Sequence, residues 1–214
     1  MQKLILPNKS VLIDKLPDSL YSHLLTQCKT LEDKNTFESG VKDKNMPKHI
    51  LIDDYDLLKT YILNCVKLYI NEYKVTLPHT NKNIPLIVTK PWINFQKKGQ
   101  FIRNHIHDGL FSYNIWIKIP YDLSKEVNSE KEATASFEFN YTDILGNINS
   151  FTIPLSKEHE GTIIFFESSL SHQVYPFYTS DEYRISIAGN VMIDNGIDNN
   201  FYPKENKGKI NGNI

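Results

Sequence analysis

The first third of the chain has the apolar spacing of two amphipathic helices. In the first, the apolar residues recur every four positions, at Leu20, Leu24 and Cys28. They follow Asp18, a residue type favoured at helix N-caps, and predict a helix over about 18–29. In the second, the apolar stripe consists of Leu58, Ile62, Cys65 and Tyr69. Acidic residues at its start favour the helix dipole, so a longer helix is predicted from about Asp53 to Lys74.

From Leu86 onward, the pattern changes to short runs of β-branched and aromatic residues bounded by Gly, Pro, Asn and Asp. The predicted strands are Leu86–Val88, Trp92–Gln96, Leu110–Ile119, Ala133–Tyr141, Asn149–Ile153, Thr162–Glu167, Gln173–Phe177 and Tyr183–Ile193. Shorter strand candidates lie earlier, at Leu4–Leu6 and Val11–Ile13, and Ile144–Asn147 has the character of a hairpin turn. Strands that follow two helices, without regular helices between them, predict a mainly β fold: an antiparallel sandwich or jelly roll.

The same pattern predicts a single domain over residues 1–201, with a flexible C-terminal tail at 202–214. Within the domain, residues 14–85 form a helical support region and 86–193 form the jelly-roll core. Two polar segments are predicted loops, Thr30–Lys48 and Thr76–Pro85, and Asp122–Glu132 is a charged insertion that is expected to form a mobile lip. A chain of 214 residues that is 40% hydrophobic is large enough to bury one sizeable core.

Composition and charge exclude some classes of function. The chain carries 24 basic and 25 acidic residues, and this balance counts against a nucleic-acid partner. Its apolar runs are too short to span a bilayer, and its first ten residues lack the features of a secretory signal peptide. Cys28 and Cys65 fall in the predicted helices and are expected to be buried thiols. We therefore expect a cytoplasmic protein that does not associate with a membrane.

The first segment with candidate chemistry contains two histidines one residue apart. His105 and His107 are followed directly by Asp108. On a strand, residues i and i+2 point to the same side, so the two imidazoles would be directed into one space. Imidazole is a common ligand of iron, zinc and copper, and other segments would complete the coordination shell. The alternative is one surface histidine beside one buried, hydrogen-bonded histidine.

The second segment extends from Gly161 to Met192. A strand leads through a turn of small residues to His172, which opens the next strand. Along the last strand one face carries Arg184, Ser186, Ala188 and Asn190. Such a face suits the wall of a polar cavity, and a buried arginine there would need an anionic partner such as a carboxylate. Alternatively, Arg184 forms an ordinary surface ion pair with Asp181 or Glu182.

Taken together, these segments resemble the Fe(II)/2-oxoglutarate-dependent dioxygenases. The likeness is closest to the prolyl-hydroxylase-like branch and its uncharacterised phage and bacterial members. It is carried by Trp92-Ile-Asn94 with Lys98-Gly99, by His105-Ile-His107-Asp-Gly109, by Phe166-Glu-Ser-Ser-Leu-Ser-His172 and by Arg184-Ile-Ser-Ile-Ala-Gly-Asn190. It covers roughly residues 86–193 and implies a double-stranded β-helix of the jelly-roll or cupin-like type.

The resemblance implies an iron site and a co-substrate site. His105 would be the first ligand and His172 the distal ligand of Fe(II), while Arg184 and Ser186 would bind the far carboxylate of 2-oxoglutarate. The family pattern is His-x-Asp, whereas position 107 here is histidine. The middle ligand is therefore either His107, which strand alternation favours, or Asp108, which charge compensation of Fe(II) favours.

Further residues are candidates for the surrounding pocket. Asn114 and Asn190 are candidates for co-substrate binding, and Lys118 is an alternative to Arg184. Asn94, Tyr113 and Trp116 are candidates for the substrate pocket, although the two aromatic residues would more commonly pack across strands. The implied activity is oxidation by O2, coupled to conversion of 2-oxoglutarate to succinate and CO2. The substrate would be an unidentified one that becomes hydroxylated, such as a prolyl or another amino-acid side chain.

Two other readings of the sequence remain open. A cupin-like enzyme could use three histidines as metal ligands without 2-oxoglutarate, but it would leave Arg184 and Ser186 without a role. A non-enzymatic jelly-roll protein, such as a binding or virion protein, would need no metal and would direct its histidines outward. The fold alone does not decide between them, because jelly rolls support many functions.

Overall fold

The computed structural model describes residues 9–33, 47–74, 85–126 and 134–194. Its helices are α1 (Asp18–Asp33), α2 (Asp56–Tyr73) and the short α3 (Leu123–Glu126). Its strands are β1 (Val11–Lys15), β2 (Lys48–Leu51), β3 (Leu86–Val88), β4 (Trp92–Gln96), β5 (Ile102–His105), β6 (Phe111–Lys118), β7 (Ser136–Thr142), β8 (Ile148–Pro154), β9 (Thr162–Glu167), β10 (Ser171–Val174) and β11 (Arg184–Ile193). A single turn of 3₁₀-helix covers Lys157–His159.

The strands form two antiparallel sheets that enclose a core. The major sheet has the order β1-β9-β6-β11-β4-β2, with β3 also paired to β11. The minor sheet has the order β5-β10-β7-β8. Long crossovers between the sheets are typical of jelly rolls, and the predicted mainly β, double-stranded β-helix fold is confirmed.

The core consists of two clusters on opposite faces of the major sheet. The first joins α1 and α2 to that sheet, and its members include Leu24, Leu58, Tyr69, Phe111 and Phe165. The second fills the space between the sheets, and its members include Trp116, Phe137, Phe139, Phe166 and Phe177. Because full burial of such a side chain stabilises a fold by about 1.5–3 kcal/mol, the helices anchor the sheet firmly. The space between the sheets also contains the functional candidates.

Element boundaries differ from the sequence prediction in a few places. The first helix continues to Asp33, and the second begins only at Asp56. The predicted Thr30–Lys48 loop was wrong at its end, because Lys48 opens the four-residue strand β2, which pairs with β4. This pairing explains why β2 forms despite its polar surroundings, since the neighbouring strand satisfies its backbone groups. Cys28 and Cys65 are buried free thiols, as predicted.

Several predictions concern residues outside the described ranges: the strand Leu4–Leu6, most of the loops Thr30–Lys48 and Thr76–Pro85, the end of the insertion Asp122–Glu132 and the tail 202–214. The domain boundaries stay a prediction. Within the described ranges, each helix is too short or too polar to cross a membrane.

Candidate metal centre and adjoining cavity

Three histidines from two chain segments converge between the sheets. His105, at the end of β5, pairs in register with His172 on the neighbouring strand β10. His107 lies in the loop that follows β5, and its backbone N–H donates to the Ser168 carbonyl over 3.0 Å. One potential ligand atom from each of the three residues lies within 4.8 Å of the others. We refer to His105, His107 and His172 as the histidine triad.

Hydrogen bonds to nearby backbone carbonyls orient two of the three rings. The His105 Nδ1 atom lies 2.7 Å from the Arg103 carbonyl oxygen, and the His172 Nδ1 atom lies 2.9 Å from the Leu170 carbonyl oxygen. Because a carbonyl can only accept, both Nδ1 atoms donate these hydrogen bonds, and the Nε2 atoms are the ones left for a metal. The His107 Nε2 atom lies 3.2 Å from the His172 Nε2 atom. This is the arrangement in which outer hydrogen bonds prepare imidazoles for a metal.

Aromatic side chains surround the distal histidine. The His172 ring stacks on Phe137 at 5.4 Å and 14°, and it meets the edge of Phe166 at 5.0 Å. Desolvation lowers the pKa of His172 to about 3, although its bond to the Leu170 carbonyl acts in the opposite direction. Desolvation, followed by the effect of His105, also lowers the pKa of His107 to about 4. Both imidazoles are therefore neutral at pH 7, the state that binds a metal.

Strand alternation was predicted to orient His107, but a loop holds it in place instead. Strand β5 ends at His105, so the alternation of side chains on a strand does not orient His107. Instead, hydrogen bonds fasten its loop: Leu110 N–H donates to the Val191 carbonyl, and Ser168 N–H donates to the Leu110 carbonyl. Gly109 has φ +112°, and a Cβ atom there would lie 2.8 Å from the Val191 carbonyl oxygen. The loop thus requires glycine at this position.

The other candidate for the middle ligand, Asp108, lies apart from the triad. It is exposed and lines the rim of the adjoining cavity, and it is not a member of the converging group.

A cavity of about 660 Å³ opens beside the histidine triad. Besides the triad and Asp108, four predicted site residues line it: Asn94, Asn114, Asn190 and Tyr113. The Asn114 side chain is 8% exposed, and its Nδ2 atom has no hydrogen-bond partner within the described ranges. In contrast, the Asn190 Oδ1 atom accepts a hydrogen bond from the Ser112 hydroxyl at 2.9 Å. A ligand in the cavity therefore meets a buried amide donor at Asn114.

Arg184 is buried near the cavity but does not line it. Its guanidinium donates to Gln96 Oε1, to the Tyr121 hydroxyl at 2.9 Å and to the Tyr175 carbonyl at 2.6 Å. It also lies 5.3 Å from the centre of the Phe177 ring. These partners are all neutral, and within the described part of the chain no carboxylate forms an ion pair with Arg184.

The alternative reading of Arg184 as a surface ion pair is wrong. The side chain is 2% exposed, and the two carboxylates proposed as its partners bind lysines instead. Asp181 pairs with Lys98, and Glu182 pairs with Lys118 at 2.8 Å.

Three other predicted site residues lie outside the cavity lining. Ser186 accepts a hydrogen bond from Asn94 Nδ2 at 3.2 Å, and Lys118 is held by Glu182. The prediction that Trp116 lines the pocket is corrected, because its ring is buried against Phe137 at 6.0 Å and against His159 at 5.8 Å. This cross-strand packing is the alternative that the sequence favoured for the aromatic candidates.

The sequence interpretation missed several residues that line the cavity. No role was predicted for His49, but it lies on β2, where it pairs in register with Asn94. Trp92 faces the cavity and lies 5.6 Å from the His107 ring. Arg103 lies two residues before His105 on β5. Its spacing from His105 was a usable signal, whereas His49 reaches the cavity only through pairing with a distant strand.

The comparison with known protein families matches the strand-rich part of the chain. Residues 90–190 match the sequence model of a family described as "Putative 2OG-Fe(II) oxygenase". This range contains the histidine triad, Arg184 and the predicted pocket residues. A search of curated proteins finds no match.

Solved structures share the fold over most of the chain. A prolyl-4-hydroxylase from Pseudomonas putida superposes with a TM-score of 0.56 at 16% identity, over 86% of this chain and 92% of that chain. A Trichoplax adhaerens prolyl hydroxylase, solved with a peptide fragment of hypoxia inducible factor, gives 0.55 at 16% identity, over 86% and 84%. A non-heme α-ketoglutarate-dependent carbocyclase from nogalamycin biosynthesis gives 0.59 at 10% identity, over 86% and 80%.

At these identities, the structural likeness establishes the fold alone, and the sequence match to the oxygenase family concerns residues 90–190. Fe(II) and 2-oxoglutarate are the metal and co-substrate that define this family, in agreement with the prediction from the sequence. A set of neutral imidazoles is a suitable donor set for Fe(II). The segment 90–190, which contains the convergent histidine triad of the jelly roll, is therefore similar to the Fe(II)/2-oxoglutarate-dependent oxygenases.

Proposed function

We propose that the protein is an Fe(II)- and 2-oxoglutarate-dependent hydroxylase, with His105, His107 and His172 as the iron ligands. The observation that carries the proposal is the convergence of three imidazoles at the edge of a cavity. Two of the rings are turned toward the common centre by carbonyls two residues earlier in the chain. Such preparation costs less free energy on metal binding than ordering free side chains would.

The same convergence favours His107 over Asp108 as the middle ligand. The His107 Nε2 atom is already within 3.2 Å of the His172 Nε2 atom, whereas Asp108 is outside the converging group. With three neutral ligands, the protein adds no negative charge at the metal. The chelating end of 2-oxoglutarate then supplies the only carboxylate ligand, so we expect metal and co-substrate to bind cooperatively.

Arg184 is proposed to bind the far carboxylate of the co-substrate. Its buried positive charge has only neutral partners in the described ranges, and such a charge is costly until an anion joins it. Ser186 lies on the same face of β11, and its hydroxyl hydrogen remains available to donate while its oxygen accepts from Asn94. The unpartnered Asn114 amide is a further donor for the co-substrate, and Asn190 lies beyond it on the same sheet face.

When bound, iron and 2-oxoglutarate supply oxidation by O2, in which one oxygen atom enters succinate and the other converts a substrate C–H bond to C–OH. The protein residues orient and shield these partners. Phe137 and Phe166 pack against His172 and keep water from that side of the metal. Trp92 and Asn94 line the open side, where the substrate would be held.

A prolyl or another amino-acid side chain within a peptide is the substrate class we propose. The outermost strands β2 and β5 both contribute residues to the cavity lining, and each has one neighbour within its sheet. Their outer backbone groups could therefore pair with an extended peptide whose side chain enters the cavity. The balanced charge of the chain gives no attraction for nucleic acid.

The test is the formation of succinate from 2-oxoglutarate in the presence of Fe(II) and O2, without added substrate. We expect slow, iron-dependent succinate release, which His172→Ala abolishes and His23→Ala, a half-buried position on α1 beside Asp54, leaves intact. Iron binding without any succinate would instead favour the cupin-like three-histidine enzyme, a reading that the neutral triad also permits.

A further inference from the structure

We propose that Arg103 and His49 form an anion subsite at the mouth of the cavity, which binds a carboxylate group of the oxidised substrate. This inference rests on the proposed function, because the subsite would place an acidic substrate beside the iron. It is separate from the proposed co-substrate position at Arg184, which is buried and does not line the cavity.

Arg103 lines the cavity as an exposed side chain, and its guanidinium has no partner within the described part of the chain. It lies two residues from His105 on β5, so the two side chains share a face of the strand. Asn104, between them, also borders the cavity, but its side chain is occupied by hydrogen bonds with Ser171 and Asn140. Within the described ranges, Lys9, Lys90, Lys98 and Lys118 each bind a carboxylate, whereas the Arg103 guanidinium forms neither an ion pair nor a hydrogen bond.

His49 faces the same space from the major sheet. Because β2 pairs with β4 so that His49 lies opposite Asn94, both side chains point to the cavity side of the sheet. His49 is close enough to His105 that this neighbour contributes, after desolvation, to a lowered pKa. The imidazole carries an N–H donor in either charge state, so its contribution to the subsite does not depend on titration.

The charges around the cavity favour a carboxylate at this end. Asp108 is the one carboxylate in the cavity lining among the described residues, and it follows His107 in the chain. Arg103 precedes His105, at the opposite end of the ligand segment, and provides the positive charge. A guanidinium holds a carboxylate through two parallel hydrogen bonds, and a nearby imidazole N–H can add a third. We therefore infer a substrate with a carboxylate close to the carbon that is oxidised, such as an acidic amino-acid residue.

The inference can be tested with two probes that differ only in charge. N-acetyl-L-glutamic acid α-amide and N-acetyl-L-glutamine α-amide, which differ only in the side-chain carboxylate or amide, are titrated calorimetrically into protein loaded with Zn(II) and saturating 2-oxoglutarate, so that no turnover occurs. We expect the acid to bind about tenfold more tightly than the amide, the effect of one charge-assisted contact. Arg103→Gln should remove this preference, Arg103→Lys should keep part of it, and His49→Gln should reduce it. Lys59→Gln, an exposed change on α2, is the matched control and should have no effect.

Either of two contrary results would overturn the proposal of an anion subsite. Equal affinities of the two probes for the wild-type protein would show that the mouth does not select a carboxylate. A loss of 2-oxoglutarate affinity in Arg103→Gln, with the preference between probes retained, would make Arg103 a co-substrate residue instead. Normal iron-dependent succinate formation alongside either result would leave the proposed function intact, so the two failures are distinguishable.

Discussion

The histidine triad and Arg184 lie on the inner faces of the same jelly roll, but the chain positions them in opposite ways. His105 and His172 are each oriented by a carbonyl two residues earlier in the sequence. Arg184 is oriented by Gln96 and Tyr121, which are 88 and 63 residues away, and by the Tyr175 carbonyl. The metal site is thus assembled from locally prepared pieces, whereas the arginine site depends on long-range packing.

This difference has a consequence for mutation. A change at a triad residue removes a ligand but leaves its neighbours oriented by their own strands. A change around Arg184 instead alters a buried network in which several elements meet, so it should affect stability and co-substrate binding together. The following substitutions separate the two behaviours.

The largest effect is expected for His172→Ala, which removes the most deeply buried ligand of the triad. Loss of a ligand should lower Fe(II) affinity by more than about a hundredfold. Substitution of residues that only hydrogen-bond to metal ligands already lowers metal affinity about 10–100-fold. Calorimetric titration of Mn(II) as an air-stable substitute would measure it, with His23→Ala as the control. Unchanged metal affinity in a folded His172→Ala protein would exclude His172 as a ligand.

A smaller and selective effect is expected for Arg184→Gln. It removes the positive charge proposed to bind the far carboxylate of 2-oxoglutarate. Because a hydrogen bond to a charged group contributes about 1.5–3 kcal/mol, the affinity for 2-oxoglutarate should fall roughly 10–100-fold. Metal affinity should stay within about twofold, because the triad is oriented independently. The comparison variant is Lys118→Gln. If 2-oxoglutarate affinity fell in that variant and not in Arg184→Gln, the residue that binds the far carboxylate would be Lys118 and not Arg184.

The smallest effect is expected for Tyr121→Phe, which deletes the hydroxyl that accepts a hydrogen bond from Arg184 over 2.9 Å. We expect the free energy of unfolding to fall by about 1 kcal/mol and 2-oxoglutarate affinity to fall a few-fold. Chemical denaturation and calorimetry measure the two quantities. Tyr61→Phe, which loses a bond to Asp14 on the helical side, should lower stability alone. Identical binding behaviour of the two variants would show that Tyr121 does not position Arg184.

The contrast between locally oriented residues and residues positioned by long-range packing also explains which features the sequence predicted. Strands Trp92–Gln96 and Thr162–Glu167 were predicted to the residue, because their apolar runs have clear boundaries. The three histidines were found because their spacing reflects strands that pair directly. The sequence contained the residues of each motif, and local hydrogen bonds determined their orientation.

Features that depend on distant pairing were not predicted. His49 reaches the cavity only because the short strand β2 pairs with β4, and four residues directly after a polar segment give little strand signal. His107 holds its position through a loop bound to Ser168, a contact across 61 residues of sequence that alternation cannot reveal. Trp116 shares a strand face with pocket residues, yet the aromatic cluster around Phe137 removes it from the cavity.

The most direct test of the three-histidine centre is an anaerobic titration of Fe(II) and 2-oxoglutarate, followed by the visible charge-transfer band of the chelate. The wild-type protein should develop this band, His107→Ala should lose it, and Asp108→Ala should retain it. A band that survives in His107→Ala and disappears in Asp108→Ala would contradict the assignment and make Asp108 the middle ligand.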